Sequence, residues 1–200
     1  MKNNRVAFDI LDKDQNVEAG RIFLECYMIF EVRMDFRRKA RYVANGAKNS
    51  NLKTSSYSGV ILRETVRIAH TYAALNGLNV MPVDIQSVYL QALISEKYWT
   101  ICGPEFEPDL VGCKSRIVRV LYGCKSTGKD FHNHVRECME HLGYTSCLAN
   151  PDLWIREAIN TSGNPYDEYM LLYVDDTLYI SEFPKEALLE INKYFSDIGV

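Results

Sequence analysis

Residues 170–180 read Met170-Leu171-Leu172-Tyr173-Val174-Asp175-Asp176-Thr177-Leu178-Tyr179-Ile180. Apolar and aromatic side chains flank two adjacent acids, which favours two short strands with a tight turn between them. We therefore predict a β-hairpin with Asp175 and Asp176 at its tip. Because carboxylates beside a core lose hydration, a cation should compensate them, and a divalent metal is the candidate. The alternative is that both acids serve only as turn residues, which is a common role of Asp.

A third acid ends another short apolar run, Val80-Met81-Pro82-Val83-Asp84-Ile85. Two strands that lie side by side, each with an acid near the same end, would bring Asp84 next to Asp175 and Asp176. Three carboxylates suit one or two Mg²⁺ ions, which prefer oxygen ligands. The sequence therefore predicts an acid cluster that holds Mg²⁺ or Mn²⁺.

Further segments accompany these acids in a fixed order. They are Lys39-Ala40-Arg41-Tyr42-Val43-Ala44-Asn45-Gly46, Tyr57-Ser58, Arg63-Glu64-Thr65-Val66-Arg67, Asp84-Ile85-Gln86-Ser87-Val88-Tyr89-Leu90, Leu121-Tyr122-Gly123-Cys124-Lys125, Leu142-Gly143-Tyr144, Asn150-Pro151-Asp152 and Tyr173-Val174-Asp175-Asp176. In this order the set resembles the reverse transcriptases of copia-type LTR retrotransposons. A lone Tyr-Val-Asp-Asp box would be a weak signal, whereas the ordered set is specific.

The resemblance implies an RNA-directed DNA polymerase that adds deoxynucleotides to the 3′-hydroxyl of a primer. It makes Asp84, Asp175 and Asp176 the catalytic acids. Asp84 and Asp175 would each bind both Mg²⁺ ions, Asp176 would assist, and Ile85 belongs to the same metal site. The implied partners are an RNA or DNA template with its primer, deoxynucleoside triphosphates and the remaining domains of a polyprotein, with no membrane partner.

A local excess of basic residues extends from Arg33 to Lys53. Within it, Lys39 and Arg41 are two positions apart, so in a strand they point to the same side, where they can meet a triphosphate. A solvated surface is the alternative for such a charged run. The resemblance supports nucleotide binding by Lys39 and Arg41, and it adds Lys125 to the nucleotide site.

Tyr89 follows Asp84 by five positions. The resemblance implies that its ring excludes a 2′-hydroxyl and so selects deoxynucleotides, while core packing is the alternative for an aromatic residue. It also implies that Gly123, Tyr173 and Val174 contact template or primer. The loop that contains Gly123 departs from the family at Ser126 and Gly128, where Gln and Pro are common.

The resemblance predicts an α+β fold. It predicts a polymerase palm with a mixed, mainly antiparallel sheet and helices on one face, together with a small β-rich fingers lobe. We expect residues 1–78 to form the fingers-like lobe with the lead-in and first helix, and residues 79–200 to form the palm-like domain. Thumb, connection and RNase H domains are expected to be absent.

Composition and spacing exclude several other classes of protein. The net charge of −3 counts against a protein that binds a polyanion with its whole surface. Six cysteines without a Cys-x-x-Cys pair count against a zinc ribbon and against a disulfide framework. His134, Cys138 and His141 have a spacing that can build a metal site on a helix, but no fourth ligand is evident, and packing is the favoured interpretation.

The chain has no apolar run of membrane-spanning length and no signal-peptide pattern at its N-terminus. We therefore expect a soluble, intracellular protein, and the resemblance implies a cytoplasmic retrotransposon particle with access to the nucleus. A different class of function stays open, namely a catalytically inactive or domesticated remnant that binds nucleic acid or protein. The presence of Asp84, Asp175 and Asp176 favours the enzyme.

Overall fold

The computed structural model describes residues 7–46, 59–85, 88–174 and 176–197, with the backbone alone at positions 88 and 197. In this part of the chain no helix is long and apolar enough to cross a membrane. The described residues form four helices and eleven strands, a mixed α+β structure. In chain order these are β1 (Phe8–Ile10), β2 (Ile22–Phe23), β3 (Cys26–Val32), β4 (Arg38–Ala44), α1 (Arg63–Asn76), β5 (Asn79–Asp84), α2 (Val88–Gln91), β6 (Leu93–Ile101), β7 (Lys114–Arg119), α3 (Thr127–His141), β8 (Thr145–Ser146), β9 (Leu153–Ile159), β10 (Pro165–Tyr173), β11 (Asp176–Ser181) and α4 (Pro184–Asp197).

The chain divides into two compact units, and the first combines Met1–Tyr57 with Tyr89–Phe131. It contains a four-stranded sheet in the order β1-β7-β6-β2, in which β2 and β6 are parallel and the other pairs are antiparallel. Strands β3 and β4 form a separate antiparallel hairpin. Leu24, Tyr98 and Ile117 are at the centre of the apolar core of this unit.

The second unit combines Ser58–Val88 with His132–Val200 and contains an antiparallel sheet in the order β5-β11-β10-β9-β8. Since β11 lies between β5 and β10, the segment that ends in Asp84 adjoins the segment that begins with Asp176. Each unit is built from two separate segments, whereas the sequence predicts a single division after residue 78. Which residues act as fingers and which as palm stays a prediction.

Helices cover both faces of the five-stranded sheet. Ala73 of α1 packs in one apolar cluster with Leu171 of β10. Glu168 is three positions from Leu171 and so points to the opposite face. There Arg156 of β9 binds Glu168 and also Glu190 of α4, each at 2.7 Å. The prediction of helices on one face was therefore wrong, because an apolar helix stripe does not specify which side of a sheet it covers.

The end of α1 determines where the first acid-bearing strand begins. Gly77 has a φ of 64°, a left-handed conformation that glycine adopts at little cost. The next backbone N–H, from Leu78, donates to the carbonyl of Ala73 at 2.9 Å and closes the helix. Strand β5 then starts at Asn79 and runs to Asp84, and it contains the apolar run that predicts a strand there.

The cysteines are free thiols, and most of them are buried. Burial raises the pKa of Cys124 to about 12. Burial likewise raises the pKa of Cys138 to about 12. Both thiols are therefore protonated at neutral pH and pack as small apolar groups.

Candidate active site

Asp84 and Asp176 face each other across neighbouring strands. Asp84 is the last residue of β5, Asp176 is the first residue of β11, and the two are direct partners in the antiparallel ladder. Partners of this kind point to the same face, with Cβ atoms about 4.5–5.5 Å apart. Both side chains are exposed, so their mutual repulsion, rather than burial, is what a cation would relieve. Asp175 lies outside the described residues.

The turn of the hairpin is shifted from the predicted position. Tyr173 is the partner of Asp176, so Asp176 belongs to a strand and not to the turn, and Val174 directly follows β10. Val174 has a φ of 58°, which is a genuine outlier for a β-branched residue. Such a conformation costs about 1–3 kcal/mol and persists only where the surrounding structure imposes it. Here the constraint comes from the hydrogen-bonded pairing of β11 with β10 on one side and with β5 on the other.

Two further hydrogen bonds hold the hairpin on its flanks. Thr177 donates its hydroxyl to the carbonyl of Val83 at 2.9 Å, which links β11 to the strand that ends in Asp84. On the other flank, the backbone N–H of Leu172 donates to the carbonyl of Asp152 at 2.9 Å. The acid-bearing end of the sheet is therefore fixed from both neighbouring strands.

A cleft of about 520 Å³ adjoins the paired acids. Its lining is mostly apolar and includes both acids. The lining residues are Ile61, Val66, His70, Pro82, Val83, Asp84, Leu171, Tyr173, Asp176, Thr177 and Leu178. Asp84, Tyr173 and Asp176 thus lie on three adjacent strands beside one concave surface, which can receive a ligand with an apolar part and a cationic or metal-bound part.

A second pair of facing acids shows what is particular to this one. Glu157 of β9 is the partner of Asp167 of β10, again across antiparallel strands. These two acids do not line the cleft and are not next to the hairpin turn. Facing acids alone therefore do not define a metal site, and the cleft and the turn distinguish the pair of Asp84 and Asp176.

The carboxylate oxygens of Asp84 and Asp176 fit a hard divalent cation such as Mg²⁺, which favours oxygen donors. Within the described part of the chain no group of three His, Cys, Asp or Glu side chains is placed to hold a metal. The predicted third acid, Asp175, is outside that part. Ile85, predicted to belong to the metal site, directly follows the strand that ends in Asp84.

Two histidines of α3, His134 and His141, pack against aromatic rings. His134 stacks on Phe195 with ring centroids 5.0 Å apart, and His141 contacts the ring of Tyr194 at 4.9 Å. Cys138, between them on the helix, is fully buried. The geometry of the described residues agrees with the packing interpretation of this His, Cys and His pattern.

The basic pair Lys39 and Arg41 lies in the first unit, in the β3–β4 hairpin. Alternation along β4 places both side chains on one face, as the spacing predicts. Glu31 of β3 is the direct partner of Lys39 and forms an ion pair with Arg41 at 2.5 Å. Glu31 carries no direct signal in the sequence, because its position opposite the pair depends on the register of the hairpin.

Tyr89, Gly123 and Lys125, which were also assigned to nucleotide or template, lie in the first unit as well, whereas Tyr173 and Val174 lie in the second. Tyr89 makes edge-to-face contacts with Tyr122 at 4.7 Å and with Phe131 at 5.9 Å. Gly123 has a φ of 89°, and a Cβ there would lie 2.1 Å from the carbonyl oxygen of Ala44. Lys125 is half-buried in the same loop. Their roles toward nucleotide and template stay predictions.

Comparison with known proteins identifies the family. A family model described as reverse transcriptase (RNA-dependent DNA polymerase) matches residues 22–194, which is most of the chain. The match contains both facing acids and the hairpin that carries one of them. A comparison with curated proteins finds no match. The chain belongs to the reverse transcriptase (RNA-dependent DNA polymerase) family.

Proposed function

We propose that the chain is the RNA-directed DNA polymerase domain of a copia-type retrotransposon polyprotein and adds deoxynucleotides to a primer 3′-hydroxyl. The observation that carries the proposal is the facing pair of Asp84 and Asp176, on one face of the sheet and beside the cleft. The ordered motifs support the copia type. The same proposal includes a primed RNA or DNA template and further polyprotein domains as partners. It places the protein in cytoplasmic particles with access to the nucleus.

In this proposal Asp84 and Asp176, with Asp175, hold divalent cations through carboxylate oxygens, and Ile85 lies at the same site. Bound Mg²⁺ or Mn²⁺ would supply Lewis-acid activation of the hydroxyl and charge neutralisation on the phosphates. The carboxylates would hold the metal ions beside the cleft that Tyr173 also lines. Tyr173 and Val174 then contact the primer or template next to the reacting atoms.

The β3–β4 hairpin supplies charge for the triphosphate. Arg41 is already paired with Glu31, so the net charge of Glu31, Lys39 and Arg41 together is +1. Lys39 has no ion pair with a carboxylate within 4.0 Å among the described residues. We assign the first phosphate contact to Lys39, and Arg41 contributes when a phosphate replaces Glu31. Lys125 and Gly123 complete the nucleotide and template surface, and Tyr89 excludes the 2′-hydroxyl.

The test is primer extension on a primed RNA template with Mg²⁺ and deoxynucleotides. Replacing Asp84 with Asn should lower the single-turnover rate by about a thousandfold or more, because several kcal/mol of charge stabilisation are lost. Glu157→Gln is the matched control, since it also removes one charge from a facing acid pair of the same sheet. Its rate should equal that of the wild type.

Two outcomes would contradict the proposal. An Asp84→Asn variant that extends the primer as fast as Glu157→Gln would remove Asp84 from the reaction. A folded wild-type chain that adds no nucleotide to any primed template would favour the inactive remnant that binds nucleic acid or protein.

A further inference from the structure

A buried, hydrogen-bonded pair of side chains lies next to the hairpin. Nε2 of His132, on α3, is 2.8 Å from Oδ1 of Asp152, and the side chains are 13% and 2% exposed. An ionised carboxylate only accepts hydrogen bonds, so His132 donates. The second oxygen of Asp152, Oδ2, is buried without a hydrogen-bond partner in the described part of the chain. Among the described residues, His132 is therefore the side chain that hydrogen-bonds this carboxylate.

Asp152 is hydrogen-bonded to β10, the strand that leads into the turn between Tyr173 and Asp176, which we call the acid turn. Leu153 and Leu171 are the last partners in the ladder of β9 and β10. The bond from the N–H of Leu172 to the carbonyl of Asp152, 2.9 Å long, extends that ladder by one residue. The next residue, Tyr173, is the partner of Asp176. A backbone hydrogen bond therefore joins Asp152 to Leu172, the residue that precedes Tyr173.

The surroundings of Asp152 leave it little freedom. A Cβ on Gly59 would lie 2.4 Å from Oδ2 of Asp152, so the backbone before α1 packs closely against the carboxylate. Asn150 accepts from the N–H of Asp152 at 3.3 Å and donates to the hydroxyl of Thr65 on α1 at 3.0 Å. Asp152, which directly precedes β9, therefore contacts α3 through His132 and is linked to α1 through Asn150.

We infer that His132 and Asp152 are positioning residues for the acid turn, which act through the backbone of Leu172 on Tyr173 and Asp176. This inference rests on the proposed polymerase function for its effect on rate. Its structural part, the restraint of Leu172, is independent of that function. Because a polymerase site must hold its carboxylates within a fraction of an ångström, loss of the restraint lowers the rate of addition more than the affinity for nucleotide.

The first measurement compares His132→Phe, which keeps a flat ring but has no donor, with His132→Gln, which restores an N–H donor. His132→Phe should lower kcat by about 10- to 100-fold, as is usual for residues that orient catalytic ligands. The KM for nucleotide should stay within about twofold, because ground-state binding is not the affected step. His132→Gln should recover most of the lost kcat. Equal kcat in His132→Phe and wild type would overturn the inference.

The second measurement is amide hydrogen exchange, which needs no activity. Exchange at Leu172 should accelerate in His132→Phe and stay unchanged in the control His141→Leu, whose residue is exposed at the end of the same helix. Unchanged exchange at Leu172, or equal acceleration throughout the second unit, would contradict a local restraint. If the wild-type chain extends no primer, the proposed function fails and exchange alone decides the inference.

A second variant keeps the test available if His132→Phe does not fold. His132→Phe combined with Asp152→Asn removes the buried charge together with its donor, and removing both partners is milder than removing one. This double variant should also show faster exchange at Leu172, since neither side chain then restrains the end of β9. Wild-type exchange in the double variant would overturn the inference.

Discussion

Replacement of Gly123 by Ala tests the packing of the loop assigned to template binding. Gly123 has a φ of 89°, and a Cβ would lie 2.1 Å from the carbonyl oxygen and 3.2 Å from the carbonyl carbon of Ala44. Since neither contact involves a flexible side chain, β4 or the loop must move. Such a movement acts on two backbone hydrogen bonds, from Ala44 to Tyr122 at 2.8 Å and from Gly46 to Gly123 at 3.1 Å.

The magnitude follows from two contributions. The left-handed conformation alone costs an alanine about 1–2 kcal/mol. Weakening a buried backbone hydrogen bond costs about 1–3 kcal/mol. We therefore expect Gly123→Ala to lower the free energy of unfolding by about 2–5 kcal/mol, a range that reaches the upper end for a single substitution.

Urea denaturation followed by circular dichroism measures this change. Gly20→Ala is the matched control, because Gly20 has a φ of 88° but nothing within 4 Å of its added Cβ. It should lose only the conformational part, about 1–2 kcal/mol. A loss in Gly123→Ala that equals the loss in Gly20→Ala would refute the close approach to Ala44.

Three other predictions concern the turn, the basic pair and the thiols. Val174→Gly should raise the free energy of unfolding, measured in urea, by about 0.5–1 kcal/mol, because relief of the positive φ exceeds the entropy cost of glycine. A decrease in the free energy of unfolding would count against strain at this turn. Lys39→Glu should raise the nucleotide KM in primer extension. Glu31→Gln should lower this KM by about threefold, because it releases Arg41 from its ion pair. Unchanged KM values in both variants would remove the hairpin from the nucleotide site. Burial raises the pKa of Cys124 and Cys138 to about 12. In native protein at pH 8.5 these thiols should therefore be alkylated at least about a hundredfold more slowly than an ordinary thiol, as followed by mass spectrometry over time. Rapid labelling would show that they are not buried.

The strands around the acids were predictable because their residues differ sharply from their neighbours. Apolar runs on both sides of the Asp-Asp pair indicated a hairpin, and β10 and β11 form one. The run before Asp84 indicated a strand, and β5 ends at Asp84. These features depend on local preferences and on alternation, which a sequence carries directly.

The features that the sequence did not reveal depend on register or on distant contacts. The turn falls one residue early because the ladder pairs Tyr173 with Asp176, although Val174 is a poor residue for a left-handed conformation. Glu31 meets Arg41 only through the pairing of β3 with β4. His132 and Asp152 are 20 positions apart and meet through tertiary packing. None of these contacts leaves a periodic pattern.

Binding of Mn²⁺ to the purified chain, followed by electron paramagnetic resonance, tests the central claim most directly, because it does not depend on primer, template or turnover. We predict that the wild type and Glu157→Gln bind Mn²⁺ alike. We predict that Asp84→Asn and Asp176→Asn each bind at least about tenfold more weakly, a loss of about 1.4 kcal/mol or more. Wild-type affinity in Asp84→Asn would contradict the claim that the two facing acids hold the cation together.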